Sequence, residues 1–201
     1  MFDSYPPKSV VVGVDGSQAA IRAARWAVDE VAGSDVPLRL LYVARTDPGA
    51  GPLEARAALA AAEEVVHEAY SAVEALGRSV KVETEVLDGE PVPTLVAASR
   101  STGLLCVGDT GAAQHPEGWL GSTAREVAQS AHCSVAIVRG ERDGTAAADR
   151  RWIVACVDGS PEDVDVLELA LNEAQRRHAR LRVVTEAAPG GAPGGDGAAV
   201  I

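Results

Sequence analysis

The chain has 201 residues, enough for one domain with a sizeable core and part of a second, and its formal net charge is −11. Two lysines occur, Lys8 and Lys81, and no stretch clusters arginine with aromatic residues, so neither a nucleic-acid platform nor attachment to anionic lipid is expected. No apolar run approaches membrane-spanning length and no basic start precedes an apolar core, so no membrane segment or signal peptide is expected either.

In chain order, Met1 to Lys8 is a polar, proline-containing leader. Ser9 to Val14 is a β-branched run that reads as a strand ending at the turn Asp15-Gly16-Ser17. From Gln18 to Val31 the residues Ile21, Ala24, Ala27, Val28 and Val31 recur at helical spacing. Gly33 to Pro37 stops that helix, Leu38 to Val43 is a second strand, and Ala44 to Pro52 is a Gly/Pro-rich loop. Leu53 to Leu76 is a long Ala/Glu helix with Leu59, Val66, Ala69, Val73 and Leu76 as its expected buried stripe. Ser79 to Leu87 alternates apolar and charged residues, the pattern of an edge strand with one wet face. Pro91 to Ser101 is a shorter helix with proline in its first turn. Leu104 to Val107 is a fourth strand, a helix is expected from Ser122 to Ala131, and Val135 to Val138 closes the series as a fifth strand. Strands alternating with helices predict an α/β domain, an open parallel sheet wound on both faces. Ligands of such sheets lie at the carboxyl ends of the strands, where the winding reverses.

The fourth strand runs into Gly108-Asp109-Thr110-Gly111, a nine-residue loop from Ala112 to Leu120, and then Gly121-Ser122-Thr123-Ala124 at a helix start. Glycines allow close backbone approach, and a helix N-terminus presents unpaired N–H groups, so these are the parts of a phosphate cradle. They are equally the parts of a long loop with turn glycines and Ser122 as a plain cap. Asp15 favours the cradle if the first and fourth strands are neighbours, because it then faces the loop across one crevice; as a helix cap it would need no ligand. His115 reads as a solvated loop residue or a base, and Trp119 as a loop anchor or a lid. Cys106, Cys133 and Cys156 sit in or beside apolar runs without a Cys-x-x-Cys pair, which points to small core residues in a reducing cytoplasm rather than a metal site.

Beyond a polar linker at 140–151 the opening repeats. Trp152 to Ser160 mirrors the run up to Ser17, and Leu181 to Val184 mirrors Leu38 to Leu41, both at an offset of 143 residues. Residues 152–186 therefore read as a partial second copy without a glycine loop, and 187–201 as a disordered tail. Trp26 and Trp152 are expected in a core or an interface.

The chain resembles the universal stress protein family over residues 9–139. The resemblance is carried by Val12-Gly13-Val14-Asp15-Gly16-Ser17, the Gly89-x-Pro91 turn, and Gly108-x-x-Gly111-x9-Gly121-Ser122-Thr123. It implies a five-stranded sheet of order 3-2-1-4-5, ATP as ligand, and a homodimer formed through the last strand. It also implies roles for individual residues. Asp15, beside the backbone of Gly13 and Val14, would recognise the adenine side, and Val43 would pack on the base. Val107, Gly108 and Gly111 would line the ribose and phosphates, and Gly121, Ser122, Thr123 and Ala124 would bind phosphate. Thr110 stands where many members carry a basic residue, which should weaken a triphosphate or make it depend on Mg²⁺. The implied function is a cytoplasmic adenine-nucleotide-binding stress or signalling protein acting on an unidentified protein partner. The alternatives are an interaction module that binds no nucleotide, or a slow ATPase. Neither lysine lies near a glycine loop, so no Walker pattern is present and no catalytic residue is expected.

Overall fold

A computed structural model describes residues 9–45, 49, 51–111, 120–140, 152–185 and 199–200. They fall into two compact units that divide after Gly140.

The first unit opens with β1 (Ser9–Val14), α1 (Gln18–Val31) and β2 (Leu38–Ala44), followed by α2 (Pro52–Glu74) and β3 (Val82–Asp88). It continues with α3 (Pro91–Ser99), β4 (Thr102–Gly108), α4 (Ser122–Ser130) and β5 (Ser134–Val138). All five strands are parallel and lie in the order β3-β2-β1-β4-β5. The order reverses between β1 and β4, so the carboxyl ends of these two strands flank the crevice.

Alternation along β1 explains the two-sided core. Val10, Val12 and Val14 join α1 and α2 in one buried cluster, while Val11 joins Leu41, Leu95, Leu105 and Val127 in a second cluster on the α3–α4 face. A strand buried on both faces needs the continuous apolar run that this sequence supplies. Helix α1 is capped by Ser17, whose Oγ accepts the Ala20 N–H at 3.1 Å. Its buried face holds Ala23, Ala24 and Ala27, side chains small enough to let the helix sit close to the sheet.

Two expectations need correction. In α2 the buried residues are Ala62, Val66, Ala69 and Val73, while Leu59 is 50% exposed. The Ala/Glu composition let Leu59 pass for part of the stripe, although the first turns of this long helix bury nothing. Strand β3 begins at Val82, three residues later than the alternation suggests. Its ladder starts opposite Leu38, where β2 itself starts, so the residues before it have no partner strand.

The second unit contains β6 (Trp152–Val157), α5 (Asp163–Arg176), β7 (Arg180–Thr185) and β8 (Ala199–Val200). β6 and β7 are parallel, and β8 adds antiparallel to β7. The β8 pairing lies inside the stretch read from sequence as a disordered tail. Helix α5 covers one face of the sheet through Ala155, Ala170, Ala174 and Leu181. Trp152 has the guanidinium groups of Arg182 and Arg180 at 4.6 and 5.4 Å from its ring centroid.

Candidate functional site

At the carboxyl end of the first unit's sheet lies a cavity of about 580 Å³. Three separate stretches of chain build most of it. β1 and its turn supply Gly13, Val14 and Asp15; β4 and its loop supply Val107, Gly108, Thr110 and Gly111; and the start of α4 supplies Gly121, Ser122, Thr123 and Ala124. Val43 arrives from β2. All twelve residues singled out from sequence thus border one space. His115, Glu117 and Trp119 lie outside the described residues.

The turn after β1 and the loop after β4 are tied together. Asp15 Oδ1 accepts the Ser17 N–H at 3.0 Å, and the Ser17 hydroxyl reaches the Thr110 carbonyl at 3.5 Å. A Cβ on Gly111 would stand 3.1 Å from Asp15 Oδ2, so the bare backbone there leaves room for the carboxylate. Gly108 is more constrained still, since a Cβ would come within 2.6 Å of the Ala19 backbone at the start of α1. This is the close approach for which the fourth strand ends in glycine.

The loop closes on itself where it meets α4. Gly121 donates its N–H to the Asp109 carbonyl at 2.8 Å, and Asp109 donates its own N–H to the Val138 carbonyl at 3.1 Å. The first bond inside the helix runs from Arg125 N–H to Gly121 C=O at 3.0 Å, which leaves the N–H groups of Ser122, Thr123 and Ala124 as the first-turn donors. Gly121 was expected to offer its own N–H to phosphate, but that N–H is committed to Asp109. Asp109 Oδ1 is buried with no hydrogen-bond partner among the described residues; Arg22 Nη2 lies 3.8 Å away, within ion-pair range but too far for a hydrogen bond.

Of the opposite wall the sequence marked only the Gly89-x-Pro91 turn. Leu41, Tyr42, Arg45, Pro91 and Leu95 line the cavity as well. Arg45 pairs with Glu90 at 2.9 Å, and beside this pair the Gly89 N–H donates to the Ala44 carbonyl at 2.9 Å. The β2 end and the α3 start therefore form a single rim. Arg45 sits in a Gly/Pro-rich loop and carries no motif; its place directly after the second strand was the available signal. Among the described lining residues, Asp15 and Arg45 carry the charge. Behind the wall, burial pushes the Cys106 thiol up to about 12, so it stays protonated and inert. The arrangement provides an apolar slot at the β2 side, an acceptor at Asp15, and N–H and hydroxyl donors at α4, the elements of a site for a flat polar ring with an anionic end. Among the described residues no group of three or more His, Cys, Asp or Glu could hold a metal ion, and no helix is long and apolar enough to cross a membrane.

Comparison with known proteins bears on this site. The model of the universal stress protein family matches residues 7–139. Two universal stress proteins of Mycobacterium tuberculosis, Rv2028c and Rv2624c, are 46% and 45% identical to the chain, matching 92% and 87% of its length. The chain spans 67% and 63% of those relatives' lengths. A solved universal stress protein from Archaeoglobus fulgidus superposes with a TM-score of 0.69 at 20% identity, over 92% of this chain and 70% of its own. A universal stress protein solved in complex with cAMP gives a TM-score of 0.54 at 26% identity, over 65% of this chain and 96% of its own.

Proposed function

This chain belongs to the universal stress protein family, and on that premise we propose that it binds an adenine nucleotide in the cavity between β1, β4 and α4. The observation that carries the proposal is the convergence of Asp15, the Gly108–Gly111 turn and the Gly121–Ala124 helix start on one space, although up to about a hundred residues separate them. The similar protein solved with cAMP supports an adenine ligand. Val43 and Leu41 offer the base an apolar face, Asp15 accepts from its amino group or from the ribose, and α4 faces the phosphate. A divalent ion, where one takes part, would arrive with the nucleotide and find Asp15 as the lining carboxylate.

The proposed role is signalling by occupancy rather than catalysis, with the bound nucleotide altering dimerisation or contacts with a partner protein under stress. Among the described lining residues no side chain is set up as a base activated by a second group, so turnover should fall well below ordinary enzyme rates of ~1 per second. The direct test is titration calorimetry of the purified chain with adenine nucleotides. Asp15→Ala should weaken binding by about tenfold, the worth of one hydrogen bond to a charged group. Equal affinity in the variant and the parent chain would remove Asp15 from the site.

A further inference from the structure

We propose that the outer edge of β3, with the groove between it and α2, binds an extended segment of a partner protein that carries two basic residues four positions apart. The segment joins the first unit's sheet as a sixth strand. β3 ends the strand order, and among the described residues it pairs with β2 alone. At one end of this ladder the Lys81 carbonyl accepts the Leu38 N–H at 2.9 Å, and at the other the Gly89 N–H donates to the Ala44 carbonyl at 2.9 Å. Between them the register is unbroken, and every second residue of a parallel strand turns its N–H and C=O to its neighbour, so the odd-numbered residues face β2. The N–H and C=O groups of Val82, Thr84 and Val86 therefore point to the open side. Such a row is a template for an incoming strand.

The same three residues line the groove. A cavity of about 470 Å³ between α2 and β3 meets a second of about 350 Å³ at Tyr70 and Val82. Its helix wall carries Glu63 at one end and Glu74 at the other, with Tyr70 between them at helical spacing. The Tyr70 hydroxyl donates to Glu74 Oε1 at 2.8 Å, which leaves the ring lying along the groove as an apolar surface.

Charge selects the occupant. On β3 itself Glu85 is matched by Arg39, and Glu83 by Lys81 at 2.8 Å. Arg78, which lines the Glu74 end, pairs with Asp29 at 3.5 Å. Among the described residues no cation pairs with Glu63 or Glu74, so the groove presents two carboxylates to its occupant, in a chain of net charge −11. A second copy of β3 would bring the same carboxylates against their like, which disfavours self-pairing. The helix rise sets Glu63 and Glu74 about 16 Å apart along α2. Residues four apart on one face of a strand stand about 13 Å apart, and the flexible stems of lysine or arginine make up the difference. The residue midway between them meets Tyr70 and is best apolar.

The probe is a labelled peptide, Thr-Lys-Thr-Val-Thr-Lys-Thr, titrated into the full chain at pH 8 and low ionic strength by fluorescence anisotropy. It should bind about tenfold tighter than the same peptide with glutamate at both lysine positions, the worth of two exposed ion pairs. Glu63→Gln combined with Glu74→Gln should bring the two peptides close to parity. By NMR, the amides of Val82, Thr84 and Val86 should exchange rapidly in the free chain and slow when the lysine peptide binds, while those of Glu83 and Glu85 stay unchanged. Thr84→Pro removes an outward N–H without touching the β2 ladder and should abolish binding at an unchanged urea midpoint. If that variant unfolds, the exchange pattern and the double Gln variant still decide. Absence of binding, equal affinity for the two peptides, or protection outside β3 overturns the proposal. Slow exchange at the three amides before peptide is added overturns it as well, because the edge is then already covered.

Discussion

The chain folds one local pattern twice and gives it two different surroundings. β1–α1–β2 and β6–α5–β7 share not only sequence at an offset of 143 but pairing register: Val10 faces Leu38, and Ile153 faces Leu181. The turns agree as well. Asp15 accepts the Ser17 N–H at 3.0 Å and Asp158 accepts the Ser160 N–H at 3.0 Å, with Gly16 and Gly159 at φ +80° and +89°. Such an Asx turn is a local property that forms whether or not a ligand site surrounds it. The difference lies beyond it. Val11 is fully buried beneath the α3–α4 face, while its counterpart Val154 is 52% exposed. Among its described residues the second unit has no counterpart of β4 and its glycine loop, so Asp158 has the turn geometry of Asp15 without that opposing wall there. A motif residue becomes a site residue through what is packed across from it.

Thiol chemistry should show the contrast most strongly. Cys106 is buried and its pKa rises from 9.0 to about 12, which cuts its thiolate fraction by about a thousandfold. Cys156, at the position matching Gly13, is exposed. At pH 8, mass spectrometry of the alkylated native chain should find Cys156 modified and Cys106 untouched; equal labelling would mean that the first core opens as readily as the second unit's bare face. The same shift sets a pH dependence. Below pH 9.0 the thiol is protonated both folded and unfolded. Above it the unfolded chain loses a proton that the folded chain keeps, so the stability Cys106 contributes is lost as pH climbs toward about 12.

Breaking the enclosing wall should come next in size. Gly108→Val would drive a side chain into the Ala19 backbone and cost about 3 kcal/mol, seen as a lower urea midpoint for the first unit. An unchanged midpoint would show that β4 and α1 are free to separate. A smaller effect is expected from a matched pair. Val11→Ala should cost about 2 kcal/mol and Val154→Ala about 0.5 kcal/mol or less, read by hydrogen exchange in the two strands. Comparable losses would mean that Val154 is covered in solution. At about tenfold in affinity the nucleotide test is the mildest: Asp15→Ala weakens binding and Asp158→Ala does not, by calorimetry. A loss in both would assign the second turn a ligand role that its surroundings do not suggest.

The strands and α1 were legible because β-branched runs and helical spacing are short-range signals. Ser9–Val14 and Gln18–Val31 emerge with the bounds that the sequence suggests. The sheet order came from the family pattern and is the observed one. Leu59 was misplaced because an alanine-rich helix marks its buried face weakly, and small residues such as Ala62 can do the burying. Arg45 and its pairing across the β2–α3 rim were not visible for a different reason. The contact depends on β2 and β3 running in register to Ala44 and Asp88, which no local pattern encodes.

The 2.8 Å bond from Gly121 N–H to the Asp109 carbonyl has a consequence for how this protein can vary. It pins the two feet of the intervening segment, so the geometry of the helix start is set at the feet rather than along the segment. Length between them is then cheap: doubling it adds only about 0.6 kcal/mol of closure entropy. The glycines at the feet are fixed by contact, whereas closure entropy sets little penalty on a longer sequence between them. The chain thus carries, next to the cavity-lining start of α4, a place where length can change at little cost to the geometry of the helix start.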